Sequence, residues 1–431
     1  MNRANRVRTP LLAAVFYIAL IMPLEFSVSL GGLRLSPYRV VLLIVTVPLL
    51  LRLFQNHRQP PHAVDFLVMA HAAWAVLALA VYGGIGTGLE SGGIYAVESL
   101  GAYLLGRMTV TSAAEHRALL RFMVVVLGVM FLLTLPESLT GTHFIREAAR
   151  AVAGGPGLPY IEPRLGLDRA FGSFDHPILY GVFAASTFAA TYYVLNSEQL
   201  RPRAVVLLGM VACSTFLSLS AGPFVGLACQ ALVIGWDRIT KGIDLRWTAI
   251  VVMFSLMWFA VSLGSNRSPV KVFISYLTFS PQSAYNRILI WDYGTAEVGR
   301  HPLFGIGFGD WVRPEWMSDS MDNFWLVTAV RYGLPALLFL VAAIITLAVR
   351  QARANAHDAE INRHRMAWLA ITIGIAVSGI TVHLWNAVFA YFFFLVGTGA
   401  WMAYPVKNFS RKRLAALLAL DTERLRARTH N

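Results

Sequence analysis

The chain has few charged residues and almost no cysteine. Only 14% of its 431 residues are charged and 57% are hydrophobic, whereas soluble domains carry roughly 25% charged residues. This composition excludes an ordinary soluble protein and is typical of a polytopic membrane protein. The two cysteines, Cys213 and Cys229, lie inside apolar runs, so we expect neither a structural disulfide nor redox chemistry.

Sequence patterns that bind metals or nucleotides are also missing. There is no Cys/His cluster and no acidic pair with metal-ligand spacing, so we predict no metal and no cofactor. The glycine-rich segment from Gly305 to Gly309 follows no strand, which favours a tight turn at the bilayer surface over a dinucleotide loop. The net charge of +13 suggests nucleic-acid binding at first, but the basic residues cluster in short loops between apolar runs. We therefore predict no nucleic-acid partner.

Twelve apolar runs near membrane length predict an all-α protein with about 12 transmembrane helices. They lie at roughly 10–30, 38–54, 64–83, 92–106, 118–136, 177–195, 203–219, 221–236, 247–263, 323–349, 366–384 and 386–404. Tight connections at 220–223 and 383–386 predict helical hairpins. Residues 1–404 are thus predicted to form a single transmembrane domain. Residues 405–431 are predicted to form a basic cytoplasmic tail on the inner leaflet, with a solvated, frayed tail as the alternative.

Basic residues set the predicted orientation of the chain. Most Lys and Arg residues fall in the loops on the same side as the termini, so we expect both termini in the cytoplasm. Two long loops, at about 137–176 and 264–322, then emerge on the periplasmic side, and loops of this length are usually functional. The second contains an amphipathic stretch, Gln282 to Gly299, which either lies flat on the bilayer or packs over the transmembrane bundle.

Three segments carry the candidate chemistry. The first runs from Arg169 to Gly181 and reads Arg-Ala-Phe-Gly-Ser-Phe-Asp-His-Pro-Ile-Leu-Tyr-Gly. The second comprises Asn286-Arg287, Trp291 and the segment His301-Pro-Leu-Phe-Gly-Ile-Gly-Phe-Gly309. In the third, Asp322-Asn323 is followed after nine residues by Gly333-Leu-Pro. In their order and placement these segments resemble the bacterial O-antigen ligase and O-antigen (Wzy-type) polymerase superfamily, except that Asp322 stands where ligases have a His.

The resemblance implies a metal-independent, inverting glycosyltransferase in the bacterial inner membrane. Its donor would be an undecaprenyl-diphosphate-linked oligosaccharide in the membrane lipid, its acceptor a glycan hydroxyl, and its further partners polysaccharide assembly proteins. In such enzymes arginines contact the lipid diphosphate as the leaving group, and the His of the third segment acts near the acceptor. The predicted catalytic residues are Asp322, Arg287 and Arg169, and the predicted substrate-binding residues are Arg169, Arg287, His176, His301 and Asn323.

Elementary chemistry supports the two arginines independently. A diphosphate at headgroup depth needs fixed cations, and a guanidinium stays charged and grips phosphate oxygens bidentately. Each residue also has a structural alternative. An Arg at a helix end is commonly an interface anchor, Asp322 is placed to cap the following helix, and His176 and His301 precede prolines as turn residues do.

The predicted reaction is polymerisation of exopolysaccharide or O-antigen repeat units. Ligation of glycan to the lipid A core is the alternative within the class. A transporter or lipid-glycan flippase is an alternative of another class, although the large loops and the short connection after the sixth helix disfavour it. A structural partner in an assembly complex is a third. His71, His383 and Glu98 are ionisable residues inside predicted spans and have no assigned role.

Overall fold

The computed structural model describes residues 8–30, 33–155, 157–196, 201–276, 281–354 and 358–405. These ranges are mostly helical, and the strands found in them form one antiparallel hairpin in which Val28 lies opposite Leu35. The fold therefore agrees with the predicted all-α class. Beyond Pro405, the predicted basic tail lies outside the described residues.

The first part of the described chain runs as far as Tyr193 and includes the first predicted motif. Its elements are α1 (Leu11–Leu20), β1 (Val28–Leu30), β2 (Leu33–Leu35), α2 (Pro37–Gln55), α3 (Ala63–Thr87), α4 (Gly93–Ala96), α5 (Ala102–Thr109), α6 (Ala113–Thr140), α7 (Phe144–Ala153), α8 (Pro177–Ala185) and α9 (Phe188–Tyr193). Short π-helical segments join α3, α4 and α5 into one continuous stretch, Ala63–Thr109.

The second part supplies most of the candidate site. Its elements are α10 (Pro202–Leu217), α11 (Ala221–Ile239), α12 (Arg246–Gly264), α13 (Pro269–Tyr276), α14 (Pro281–Arg300), α15 (Phe324–Ala354), α16 (Ala359–Ser378) and α17 (Asn386–Thr398). The predicted loops at 137–176 and 264–322 thus contain helices of their own, namely α7, α13 and α14.

Six described helical segments are long and apolar enough to cross a membrane. They are Pro37–Gln55, Ala63–Thr109, Ala113–Thr140, Arg246–Gly264, Phe324–Ala354 and Asn386–Ala403, with Leu11–Leu20 and Pro202–Leu217 as shorter apolar helices. Each of the twelve predicted runs contains a helix, but the count of twelve crossings stays a prediction. No residue of α12 is buried and most of its apolar side chains are exposed, as lipid contact requires.

The first predicted span, 10–30, is wrong in its second half. The helix ends at Leu20, and a short 3-10 turn and strand β1 follow. Pro23 explains the break, because proline has no N–H to continue the helix and disfavours helical geometry in the residue before it.

The Ala63–Thr109 stretch folds back on itself at Gly84, as the two separate predicted spans require. Gly84 has φ 83° and ψ 171°, a conformation that is essentially confined to glycine. The two arms then pack antiparallel: Tyr95 Oη lies 3.0 Å from His71 Nε2, and Tyr103 Oη donates to Asp65 Oδ1 at 2.6 Å. His71, which had no role assigned from its position in a predicted span, is thus a buried hydrogen-bonding partner within this hairpin.

A buried ion pair closes the far end of the same hairpin. Arg107 Nε lies 3.2 Å from Asp65 Oδ1, and both side chains are 0% exposed. Arg107 also donates to the Gln59 side chain and to Tyr404. Arg107 follows the end of the predicted span 92–106, but its partners make it part of the core, where losing one member of a pair leaves an uncompensated charge.

Candidate functional site

A cavity of about 1690 Å³ lies where several helix ends meet. The start of α8, the α10–α11 connection, α14, the first turns of α15 and the α16–α17 connection all contribute to its walls. Its lining includes four arginines, Arg164, Arg169, Arg287 and Arg331. The carboxylates of Glu162, Asp310, Asp319 and Asp322 line it as well. Arg169 and Arg287, which are far apart in sequence, therefore share one cavity.

Arg169 is held by neutral groups. Its Nε donates to the Ser218 carbonyl at 3.2 Å and its Nη2 donates to Ser220 Oγ at 2.7 Å. It is only 7% exposed, and no described carboxylate lies within salt-bridge distance of it. Burial lowers the pKa of Arg169 to about 10, with a further contribution from the Arg164 charge. The guanidinium therefore stays charged at neutral pH without a counter-ion among the described residues.

A buried carboxylate holds the segment that carries Arg169. Glu137, at the end of α6 and 1% exposed, accepts hydrogen bonds from the backbone N–H of Phe171 at 2.9 Å and of Gly172 at 3.2 Å. His143 Nδ1 lies 2.8 Å from the same carboxylate. Because a carboxylate accepts several such bonds at once, Glu137 fixes the backbone two and three residues after Arg169. Glu137 was not among the residues predicted from the sequence, because its role becomes visible only in its contacts with Phe171, Gly172 and His143.

Glu137→Gln is expected to lower the free energy of unfolding by about 1–3 kcal/mol, because the amide loses charge-assisted bonds to buried N–H groups. Thermal unfolding of the purified protein in detergent measures this change. Glu147→Gln is the matched control, since Glu147 is exposed on α7 and no described side-chain bond depends on it. Equal unfolding temperatures for the two variants would contradict the role of Glu137 in holding the backbone of Phe171 and Gly172.

Arg287 lies on α14 and is incompletely paired. Its Nη1 is buried and has no hydrogen-bond partner among the described residues. Burial lowers the pKa of Arg287; the nearby Asp322 carboxylate opposes this shift and the Arg164 charge adds to it. A buried guanidinium N–H without an acceptor is costly, so this geometry suits the binding of an anion.

The helix that carries Arg287 forms over the predicted range, from Pro281 to Arg300. The buried residues of this helix are Ala284, Ile290, Gly294 and Glu297. A Cβ added at Gly294 would lie 2.5 Å from Leu326, so α14 packs closely on α15. This favours the alternative in which the segment packs over the bundle.

Asp322 lines the cavity, whereas its neighbour Asn323 does not. Asp322 Oδ1 accepts from Ser320 Oγ at 3.2 Å, and no described backbone N–H of α15 donates to it. The helix cap is instead Asn323, whose Oδ1 accepts from the Leu326 N–H at 3.0 Å. The capping role considered for Asp322 is therefore filled by Asn323, which does not line this cavity and whose substrate contact stays a prediction.

Of the two predicted histidines, only His176 lines the cavity. His176 lines the cavity, and its Nδ1 accepts from the Ile178 N–H at 3.2 Å, so the neutral ring carries its proton on Nε2. Burial and the charges of Arg169 and Arg164 lower the pKa of His176 to about 4, which keeps it neutral. His301 does not line the cavity; its Nδ1 lies 2.8 Å from Glu297 Oε1, one helical turn earlier.

Arg331 is a cavity residue that the sequence analysis missed. Its guanidinium lies 5.4 Å from the centre of the Phe308 ring. The available signal was a charge within the apolar run at 323–349, since ionisable residues inside spans are functional candidates by default.

Among the described residues, no group of three His, Cys, Asp or Glu side chains is arranged to hold a metal ion.

Comparison with known families supports the resemblance. Residues 204–341, roughly a third of the chain, match the Wzy_C family model, described as O-antigen ligase. The matched range contains Arg287, Asp322 and Arg331 but not Arg169 or His176. No curated protein matches the chain. The family prediction is thus confirmed: this membrane protein carries, over residues 204–341, a Wzy_C domain of the O-antigen ligase and polymerase superfamily.

Proposed function

We propose that this protein transfers an oligosaccharide from a polyprenyl diphosphate to an acceptor glycan hydroxyl on the periplasmic face of the inner membrane, with both of its termini in the cytoplasm. We further propose that the reaction polymerises repeat units of an exopolysaccharide or O-antigen. The observation that carries the proposal is the buried Nη1 of Arg287, which has no hydrogen-bond partner among the described residues, in the cavity that also holds Arg169. Two fixed cations, neither within salt-bridge distance of a described carboxylate, suit a diphosphate.

The proposed reaction is a displacement at the anomeric carbon. The acceptor oxygen forms a bond to this carbon while the bond to the diphosphate oxygen breaks, and its electron pair leaves with the diphosphate, with inversion. The positive charges of Arg169 and Arg287 stabilise the negative charge that develops on the leaving diphosphate. The acceptor proton passes to the Asp322 carboxylate, the general base. His176 Nε2–H donates to a diphosphate or sugar oxygen in the same cavity.

Asp322→Asn is expected to slow transfer by about 10²–10⁴-fold, the range for loss of a general base. Binding of the donor should persist, because the arginines remain. The measurement is the initial rate of glycan transfer alongside donor binding. Asp319→Asn is the matched control, since it removes the same charge from the same cavity and the Asp319 backbone carbonyl still accepts from Trp311. Equal rates for the two variants would remove Asp322 from the mechanism.

Incubation of the purified protein with polyprenyl-diphosphate repeat units alone tests the reaction. Longer glycans without added lipid A are the expected result. Product that forms only with a lipid A core acceptor would make the protein a ligase, the second candidate, which the description of the matched family favours. Movement of the lipid-linked glycan across vesicles without bond formation would overturn both.

A further inference from the structure

A second, smaller cavity of about 330 Å³ adjoins the first. Both cavities are lined by Phe308, Val327, Arg331, His383 and Trp385. A volume of this size is at the lower end of small-molecule sites and is suited to one or two ring-sized groups. The proposed mechanism uses none of the residues that line only the smaller cavity.

The smaller cavity is lined by a carboxylate, that of Glu98, which can accept further hydrogen bonds. Glu98 Oε1 accepts from Tyr38 Oη at 2.6 Å and from Arg39 Nε at 2.7 Å. No described residue donates to Oε2 of the same carboxylate. An ionised carboxylate has about four acceptor positions, so Glu98 retains room for donors from a ligand. Hydroxyl groups supply such donors.

Aromatic rings form another part of the same wall. Tyr95 and Phe389 are 5.0 Å apart between ring centres, and Trp385 lies against His383 at 6.0 Å. His383 Nδ1 is buried and has no hydrogen-bond partner among the described residues. Apolar ring faces beside polar groups that lack partners match a sugar, which has an apolar C–H face and hydroxyls around its edge.

The charges distinguish the two cavities. In the smaller one the Arg39 cation forms a salt bridge with Glu98, whereas the larger one holds Arg169 and Arg287, neither of which forms a salt bridge with a described carboxylate. A diphosphate therefore favours the larger cavity, and a hydroxylated, uncharged ring favours the smaller. Arg331 and His383 lie on the lining common to both, where a ligand in the smaller cavity meets one in the larger.

We propose that the smaller cavity is the acceptor subsite and binds the terminal sugar residue of the acceptor glycan. This inference rests on the proposed transferase function. Glu98 accepts hydrogen bonds from two hydroxyls of that sugar, and its ring packs on Trp385 and Tyr95. The reacting hydroxyl then points past His383 and Arg331 into the larger cavity, towards the anomeric carbon of the donor.

Ser91→Phe tests the subsite, because it fills the cavity. Ser91 lines only the smaller cavity, and no described side-chain hydrogen bond depends on it. The acceptor probe is a lipid-free repeat-unit oligosaccharide released from the strain's own polysaccharide by mild acid. We expect the KM for this acceptor to rise by about tenfold or more, as for loss of a fitted contact, while the KM for the lipid-linked donor stays unchanged.

Leu89→Phe is the matched control. It introduces the same side chain two residues away at a position that is 72% exposed and lines neither cavity, so both KM values should stay at their wild-type levels. An unchanged acceptor KM in Ser91→Phe, or an equal rise in both KM values, would overturn the subsite.

Direct binding separates failure of the subsite from failure of the proposed function. Calorimetry of the wild-type protein with the lipid-free oligosaccharide and with inorganic diphosphate needs no catalysis. Glu98→Gln should weaken oligosaccharide binding and spare diphosphate binding, and Arg287→Ala should do the reverse. If the protein binds the oligosaccharide in this pattern but transfers nothing, the subsite stands and the proposed reaction fails. If Glu98→Gln and Ser91→Phe both bind oligosaccharide like the wild type, the subsite is wrong.

Discussion

Replacing Arg287 by Ala is expected to lower the rate of glycan transfer by about 10²–10³-fold, the usual effect of losing one preorganised donor to a developing anion. The reason is the buried Nη1, which lacks an acceptor among the described residues and is available to the diphosphate. Arg169→Ala should cost less, because part of that guanidinium already donates to Ser218 and Ser220. Initial rates with a lipid-linked donor measure both effects.

Two further variants sharpen the Arg287 result. Arg287→Lys keeps the charge but loses the planar fork, so we expect its rate to lie between those of the wild type and Arg287→Ala. Arg267→Ala removes an exposed cation that does not line the cavity and should leave the rate near the wild-type value. If Arg287→Ala and Arg267→Ala have the same rate, the proposed leaving-group role is wrong.

Replacing Gly333 by Ala is expected to prevent normal folding or to lower the unfolding temperature strongly. Gly333 has φ 82° and ψ 167° within α15, and an added Cβ would lie 1.9 Å from the Leu303 carbonyl oxygen. The backbone of 302–307 docks at this break, with Leu334 N–H donating to the Pro302 carbonyl at 2.8 Å. Thermal unfolding and the yield of monodisperse protein measure the effect.

Gly84→Ala isolates the steric part of that effect. Gly84 has nearly the same backbone geometry, φ 83° and ψ 171°, but an added Cβ would meet nothing within 4 Å. Its cost should therefore be the conformational strain alone, about 1–3 kcal/mol. Gly333→Ala should be clearly less stable than Gly84→Ala, and equal stability would mean that the close approach to Leu303 costs nothing.

Much of the candidate site was accessible from local sequence. The motifs predicted that Arg169 and Arg287 meet, and both line one cavity with His176 and Asp322. His301 and Asn323 do not line this cavity and each side chain has a local partner, so their substrate contacts stay predictions. His301 is bound to Glu297 one helical turn away, and Asn323 caps α15.

Two carboxylates to which the sequence assigned no role have partners that are distant in sequence. Glu137 contacts the backbone of Phe171 and Gly172, and Glu98 binds Tyr38 and Arg39, about sixty residues away. Nothing in the spacing of these residues indicates such contacts. Pro23, in contrast, was a visible signal that the first helix ends early, and the apolar composition of 10–30 concealed it.

The sequence alone determined that the chain is helical and suited to a membrane, because apolar runs of bilayer length are a local property of composition. It also identified the family, because the order of the motifs can be read without any knowledge of contacts. Tertiary structure decided which polar groups keep a local partner and which are left for a ligand. That distinction depends on packing between distant helices. It separates Arg287, whose Nη1 has no partner among the described residues, from Arg107, whose three guanidinium nitrogens all donate hydrogen bonds.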